Sequence, residues 1–143
     1  MCEEEISAWI ARRIPETWFS GPPDVDCDSD EVLVVGPLDG SAAEASPGGE
    51  SGAARIQRFR EATRDQRMRI AQDTQRRFGR KVSWGVSVAG ERQLFTTLSI
   101  PVMTRLRLPE RQALDTLVGA GVARSRSDAL AWCVRLVARH EAD

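Results

Sequence analysis

Histidine is almost missing from these 143 residues, cysteine is sparse, and no apolar run is long. The one histidine, His140, lies near the end of the chain with no cysteine close in sequence, so no zinc site of ordinary N/S type is expected. It is expected instead as a solvated cation at a helix end. Cys2, Cys27 and Cys133 are odd in number, far apart and in no C-x-x-C pair, so the sequence signals neither a disulfide framework nor a metal, and a reducing compartment is expected. No stretch approaches the roughly 20 apolar residues of a membrane span. The acidic start, Met1-Cys2-Glu3-Glu4-Glu5, also differs from a basic secretory signal. The expectation is a cytoplasmic protein with no membrane partner. Nucleophile-base pairs, glycine-rich phosphate loops and histidine constellations are missing too, so neither an enzymatic activity nor a cofactor is expected.

Charge is plentiful but unevenly placed. The formal total is -1, yet residues 1–54 hold 12 acidic and 2 basic side chains while residues 55–143 hold 9 acidic and 18 basic. A split of that size points to nucleic-acid affinity in the basic part and a different role in the acidic part.

Ile6, Trp9, Ile10 and Ile14 recur at helical spacing behind three glutamates that complement a helix dipole, which predicts a short amphipathic helix ending before Pro15. Gly21-Pro22-Pro23 and the alternating Asp24, Asp26, Asp28 and Asp30 read as a polar loop. The acidic run lacks the glycine and terminal glutamate of an EF-hand, so calcium is not expected. Glu31 to Val35 reads as a buried strand. Residues 40–54, rich in serine, alanine and glycine, have too little apolar surface to offset the entropy of ordering and read as a flexible linker. Residues 53–78 are free of proline and predict a long helix stopped by Gly79, with a thin apolar stripe of Ile56, Phe59, Thr63, Ile70, Thr74 and Phe78. Lys81 to Val88 and Gln93 to Ser99 alternate around Ala89-Gly90-Glu91 as a hairpin would, with Val82, Trp84, Val86 and Val88 on one face. The fold class is therefore α+β: residues 1–39 and 55–99 form one small unit of helix, strand, long helix and β-hairpin, followed by a separate domain over residues 100–143.

In that last domain, residues 102–108 read as an extended segment with Leu106 and Leu108 on one side and Met103, Arg105 and Arg107 on the other. Pro109 suits helix position N1 and Glu110 the first turn, and Leu114, Leu117 and Val118 follow at helical spacing. That helix is expected to end near Gly119-Ala120-Gly121. Ser125-Arg126-Ser127-Asp128 has the S-x-x-D/E form of a capping box and opens a second helix, whose inner stripe is Leu130, Cys133, Val134 and Val137, widened by Trp132 and Leu136. About 40 residues cannot bury a sufficient core alone, so a partner is expected.

Arg105-Leu106-Arg107-Leu108-Pro109-Glu110, the glycine turn and Ser125-Arg126-Ser127-Asp128-Ala129-Leu130 together resemble the ribbon-helix-helix DNA-binding family, over roughly residues 100–140. The resemblance implies two chains pairing their strands into an antiparallel β-ribbon that enters the major groove. It implies Met103, Arg105 and Arg107 as base-reading residues and Ser125, Arg126 and Ser127 as a phosphate clamp at the positive end of the second helix. Leu106, Leu108, Leu114, Leu117, Val118, Leu130, Val134 and Val137 would form the dimer core. Arg64, Arg67, Arg76, Arg77, Arg80 and Lys81 are expected to offer auxiliary contacts to DNA.

The function expected on this reading is a sequence-specific transcriptional regulator, a repressor. It would bind double-stranded DNA of the nucleoid as a homodimer able to assemble further along it. The alternative is an antitoxin-like interaction module, in which the C-terminal part dimerises and the acidic N-terminal unit binds a protein partner.

Overall fold

The computed structural model describes residues 3–39 and 52–141. The chain divides into two units, Met1–Ile100 and Pro101–Asp143. The α+β class is observed, with a four-stranded sheet and four helices among the described residues.

In the first unit, α1 (Glu4–Arg13) buries Ile6 and Ile10 completely and carries Glu4 and Glu5 in its first turn and Arg12 and Arg13 in its last, each complementing the helix dipole. Strands β1 (Asp24–Cys27), β2 (Glu31–Pro37), β3 (Lys81–Val88) and β4 (Glu91–Leu94) form one sheet in that order. The central pair β2 and β3 is parallel, with Val34 opposite Trp84, and the outer pairs are antiparallel. A parallel pair needs a long crossover. Here α2 (Gly52–Phe78), about 40 Å long at 1.5 Å per residue, lies between β2 and β3 in the chain and packs against β3 and α1.

Val32, Val34, Trp84, Val86 and Val88 join Ile6, Ile10, Ile56 and Ile70 in a single core. Aromatic edges close it: Trp18 meets Phe19, Phe59 and Trp84, with ring centroids 5.9–6.2 Å apart. Gly36 is required by this arrangement. The Phe19 ring lies over it so closely that a β-carbon there would come within 2.2 Å of a ring atom.

Several expectations are corrected. Asp24–Cys27 is a strand, not a loop: its Val25 and Cys27 point inward between exposed aspartates, and β1 pairs with β2 through Asp24 opposite Val35. The turn between them is made by Asp28, whose Oδ1 accepts the backbone N–H groups of Asp30 and Glu31, both at 2.9 Å. Those two bonds hold its carboxyl below the ordinary aspartate range. The second hairpin strand is Glu91–Leu94, and residues 95–99 leave the sheet. Ala89 and Gly90 both adopt positive φ, as a two-residue hairpin turn demands, so pairing starts at Glu91. The long helix begins at Gly52, taking in the last three residues read as linker. The rest of that stretch, residues 40–51, lies outside the described residues. Cys27 is disulfide-bonded, against the expectation of reduced cysteines, and Cys133 is free. No described helix is long and apolar enough to cross a membrane.

The second unit consists of α3 (Leu108–Gly119) and α4 (Arg126–Glu141), packed together behind the irregular residues 101–107. Leu114, Ala123 and Ala129 are its buried centre.

Candidate nucleic-acid interface

Residues 101–107 make no strand pairing among the described residues. Arg107 has extended backbone and is the N-cap of α3, which begins one residue earlier than expected and places Pro109 at its second position. The cap is held by Glu110, whose Oε1 accepts the Arg107 backbone N–H at 3.0 Å. Arg111 reaches back from the first turn, its Nη1 donating to the Leu106 carbonyl at 2.6 Å. Leu106 turns inward against the Leu114 cluster, while Met103, Arg105 and Arg107 are exposed, Met103 to 94%. Val102, Thr104 and Leu108, on the same side as Leu106, are exposed as well, so Leu106 alone turns inward and the expected two-sided alternation is not seen.

The first helix ends in a Schellman turn. Gly121 has φ +79°, its N–H donates to the Val118 carbonyl at 3.1 Å, and the Val122 N–H donates to the Leu117 carbonyl at 3.0 Å. Ser125 caps α4, its Oγ accepting the Asp128 N–H at 3.1 Å. The Asp128 carboxylate replies to the N–H of Arg124, one residue before the cap, at 3.0 Å.

The side chain of Arg126 is committed elsewhere. Its Nε and Nη2 donate to the two carboxylate oxygens of Asp115, each at 2.8 Å, which ties the start of α4 to α3. The same bidentate pair holds Asp115 below the ordinary aspartate range and raises Arg126. A phosphate at this helix start would therefore meet backbone N–H groups, since Arg126 and Ser127 occupy first-turn positions that have no carbonyl four residues back within the helix. Asp115 was invisible in the sequence because its partner lies on another helix across a turn.

The eight residues expected in the dimer core separate into two sets. Leu114 is buried, and Leu106, Leu117, Val118 and Leu130 pack around it. Leu108, Val134 and Val137 remain exposed to 57%, 61% and 66%.

The arginines of the first unit also separate. Arg67 is only 8% exposed, so it is not available to a duplex. Arg76 pairs with Asp73 within α2, whereas Arg77 pairs with Glu5 at 3.4 Å and Arg80 with Glu3 at 3.2 Å, so these last two tie the end of α2 and the residue before β3 to the start of α1. Arg64 and Lys81 are exposed.

Comparison with known proteins decides the family. Residues 4–94 match the domain described as Rv1265-like protein, N-terminal domain, and residues 107–143 match the Mb1296 C-terminal domain. This chain belongs to the Rv1265-like family. That finding corrects the resemblance read from the sequence: the C-terminal unit is assigned to the Mb1296 C-terminal domain, not to the ribbon-helix-helix family. It also gives the N-terminal unit a family, which the sequence alone did not. The Rv1265-like chain is 57% identical over 132 residues to Uncharacterized protein Mb1296 of Mycobacterium bovis and, to the same degree, to Uncharacterized protein Rv1265 of Mycobacterium tuberculosis. The match covers 92% of this chain and 58% of each relative, so the chain spans well under two thirds of their length. No solved structure matches it.

Proposed function

We propose that this Rv1265-like chain is a sequence-specific DNA-binding transcriptional regulator, a repressor acting on the nucleoid in the cytoplasm as a homodimer. The observation that carries the reading is residues 101–107, which lack a strand partner among the described residues and expose Arg105 and Arg107 while Leu106 packs inward. A second copy can supply the missing partner. Antiparallel pairing of the two segments would satisfy their backbone groups and set four arginines on one face, narrow enough to enter a major groove. The same pairing would let Leu108, Val134 and Val137 of each copy be covered by the other. Each arginine aligned with a guanine edge would add about 1–3 kcal/mol of discrimination. First-turn amides of α4 would hold the flanking phosphates.

Selection of bound sites from fragmented genomic DNA, followed by footprinting, tests this. Arg105→Ala and Arg107→Ala should lose site selection while the dimer survives. If about 6–10 phosphates are neutralised, affinity should fall about 10³–10⁵-fold between roughly 50 and 200 mM salt. Footprints unchanged in both variants would overturn the proposal.

A further inference from the structure

Three arginines of the first unit, Arg60, Arg64 and Arg67, follow one another at spacings of four and three on α2, and so share one helix face. They line a groove of about 610 Å³ together with Gln57, Glu61 and Phe95. A volume in that range suits a small molecule. Arg60 and Arg67 both lie over the Phe95 ring, with guanidinium carbons 5.4 and 4.9 Å from its centroid. Arg60 also donates through Nη2 to the Phe95 carbonyl at 3.4 Å.

Arg67 is the unusual member. It is more than nine-tenths buried, and it is fixed in place: its Nε donates to Thr63 Oγ1 at 3.0 Å and its Nη2 to the Arg60 carbonyl at 2.7 Å. Its Nη1 has no acceptor, and no carboxylate lies within ion-pair distance of it, among the described residues. Burial and the neighbouring Arg60 and Arg64 all disfavour its charge. A buried lysine or carboxyl in such a place could shed its charge, but a guanidinium cannot, so Arg67 keeps a positive charge that no carboxylate offsets until an anion arrives. The nearest acid in the wall, Glu61, accepts a hydrogen bond from Gln57 at 3.0 Å and does not offset the Arg67 charge.

We propose that this groove binds the phosphate group of a small molecule, held by Arg60, Arg64 and Arg67. Three guanidiniums, with donors in a rigid fork, suit the several charged oxygens of a phosphate better than a single carboxylate. The volume leaves room for the remainder of an organic phosphate. The site is independent of the DNA-binding reading, since it lies wholly in the first unit.

Inorganic pyrophosphate is the probe, titrated calorimetrically into the full chain at low chloride, with melting followed in parallel. The wild-type chain should bind it and melt several degrees higher in its presence. Arg64→Gln, at an exposed position, and Arg67→Gln should each weaken binding at least tenfold. Glu61→Gln, which removes a repelling carboxylate, should tighten it. Arg105→Ala should leave pyrophosphate binding unchanged. The proposal is overturned if millimolar pyrophosphate neither binds nor shifts melting, if both arginine variants bind it as wild type does, or if these arginines hold a duplex oligonucleotide but not pyrophosphate.

Discussion

The two units of the chain handle their apolar residues in opposite ways. In the first, valines of β2 and β3, isoleucines of α1 and α2, and aromatic rings from five segments all turn into one core. In the second, Leu114, Ala123 and Ala129 alone are buried among the described residues, and Val102, Met103, Leu108, Val134 and Val137 lie outside. A unit of about 40 residues buries too small a fraction of its surface to be stable by itself. The difference teaches that the first unit buries its apolar residues within one chain, whereas the second leaves several of its own exposed, which is what the proposed dimer would cover.

The sharpest way to break that comparison is to place charges on the outer apolar residues. Val134→Glu combined with Val137→Glu should cost a monomer little, since both positions are exposed. In a dimer it buries like charges against each other. Association should weaken at least 100-fold and the helicity of α3 and α4 should fall with it, as read by sedimentation and circular dichroism. A doubly substituted chain that remains dimeric and helical would show that these valines do not cover each other.

The converse change tests the completeness of the first unit. Gly36→Ala forces a β-carbon against the Phe19 ring, and overpacking of this kind costs about 1–3 kcal/mol. Urea unfolding should show that loss in one cooperative transition, with the mass in solution unaltered. A smaller step separates capping from association: Ser125→Ala removes the acceptor for the Asp128 N–H and should cost about 1 kcal/mol, seen as a lower melting midpoint of the second unit.

How far the sequence carried this structure depended on whether a signal was local. The α1 stripe, the valine run of β2, the hairpin turn at Ala89 and Gly90 and the Ser125 cap are all set by neighbours in sequence, and all were legible. Strand β1 was not, because four residues with only Val25 and Cys27 facing inward become a strand through pairing with β2, and their aspartates read as a loop. The burial of Arg67 had a signal that went unused. It stands four residues after Thr63 and three before Ile70, on the same stripe as both, so helical periodicity already placed a cation on the inner face. The Asp115 to Arg126 pair had none, since it depends on how two helices meet. The two capped helices of the second unit were legible, the strand expected before them is not formed, and the family was not legible: short motifs of capped helices and alternating arginines occur in more than one family, and only the match over residues 107–143 distinguishes them.

That same pair supplies the mildest test of the comparison. Asp115 is held below the ordinary aspartate range by Arg126, so the folded second unit binds its proton less readily than the unfolded chain does. The contribution is therefore fully present above the unfolded carboxyl's titration, near pH 4, and is lost as the pH falls through the lower folded value. Both groups are exposed and screened by salt, so the effect should be small. Asp115→Asn should remove this part of the acid dependence of melting in the second unit and leave the first unit's profile unchanged, as read by paired melts between pH 3 and 6 at about 20 mM salt. An acid profile identical in wild type and Asp115→Asn would mean that apolar contacts, and not this ion pair, fix the angle at which α4 meets α3.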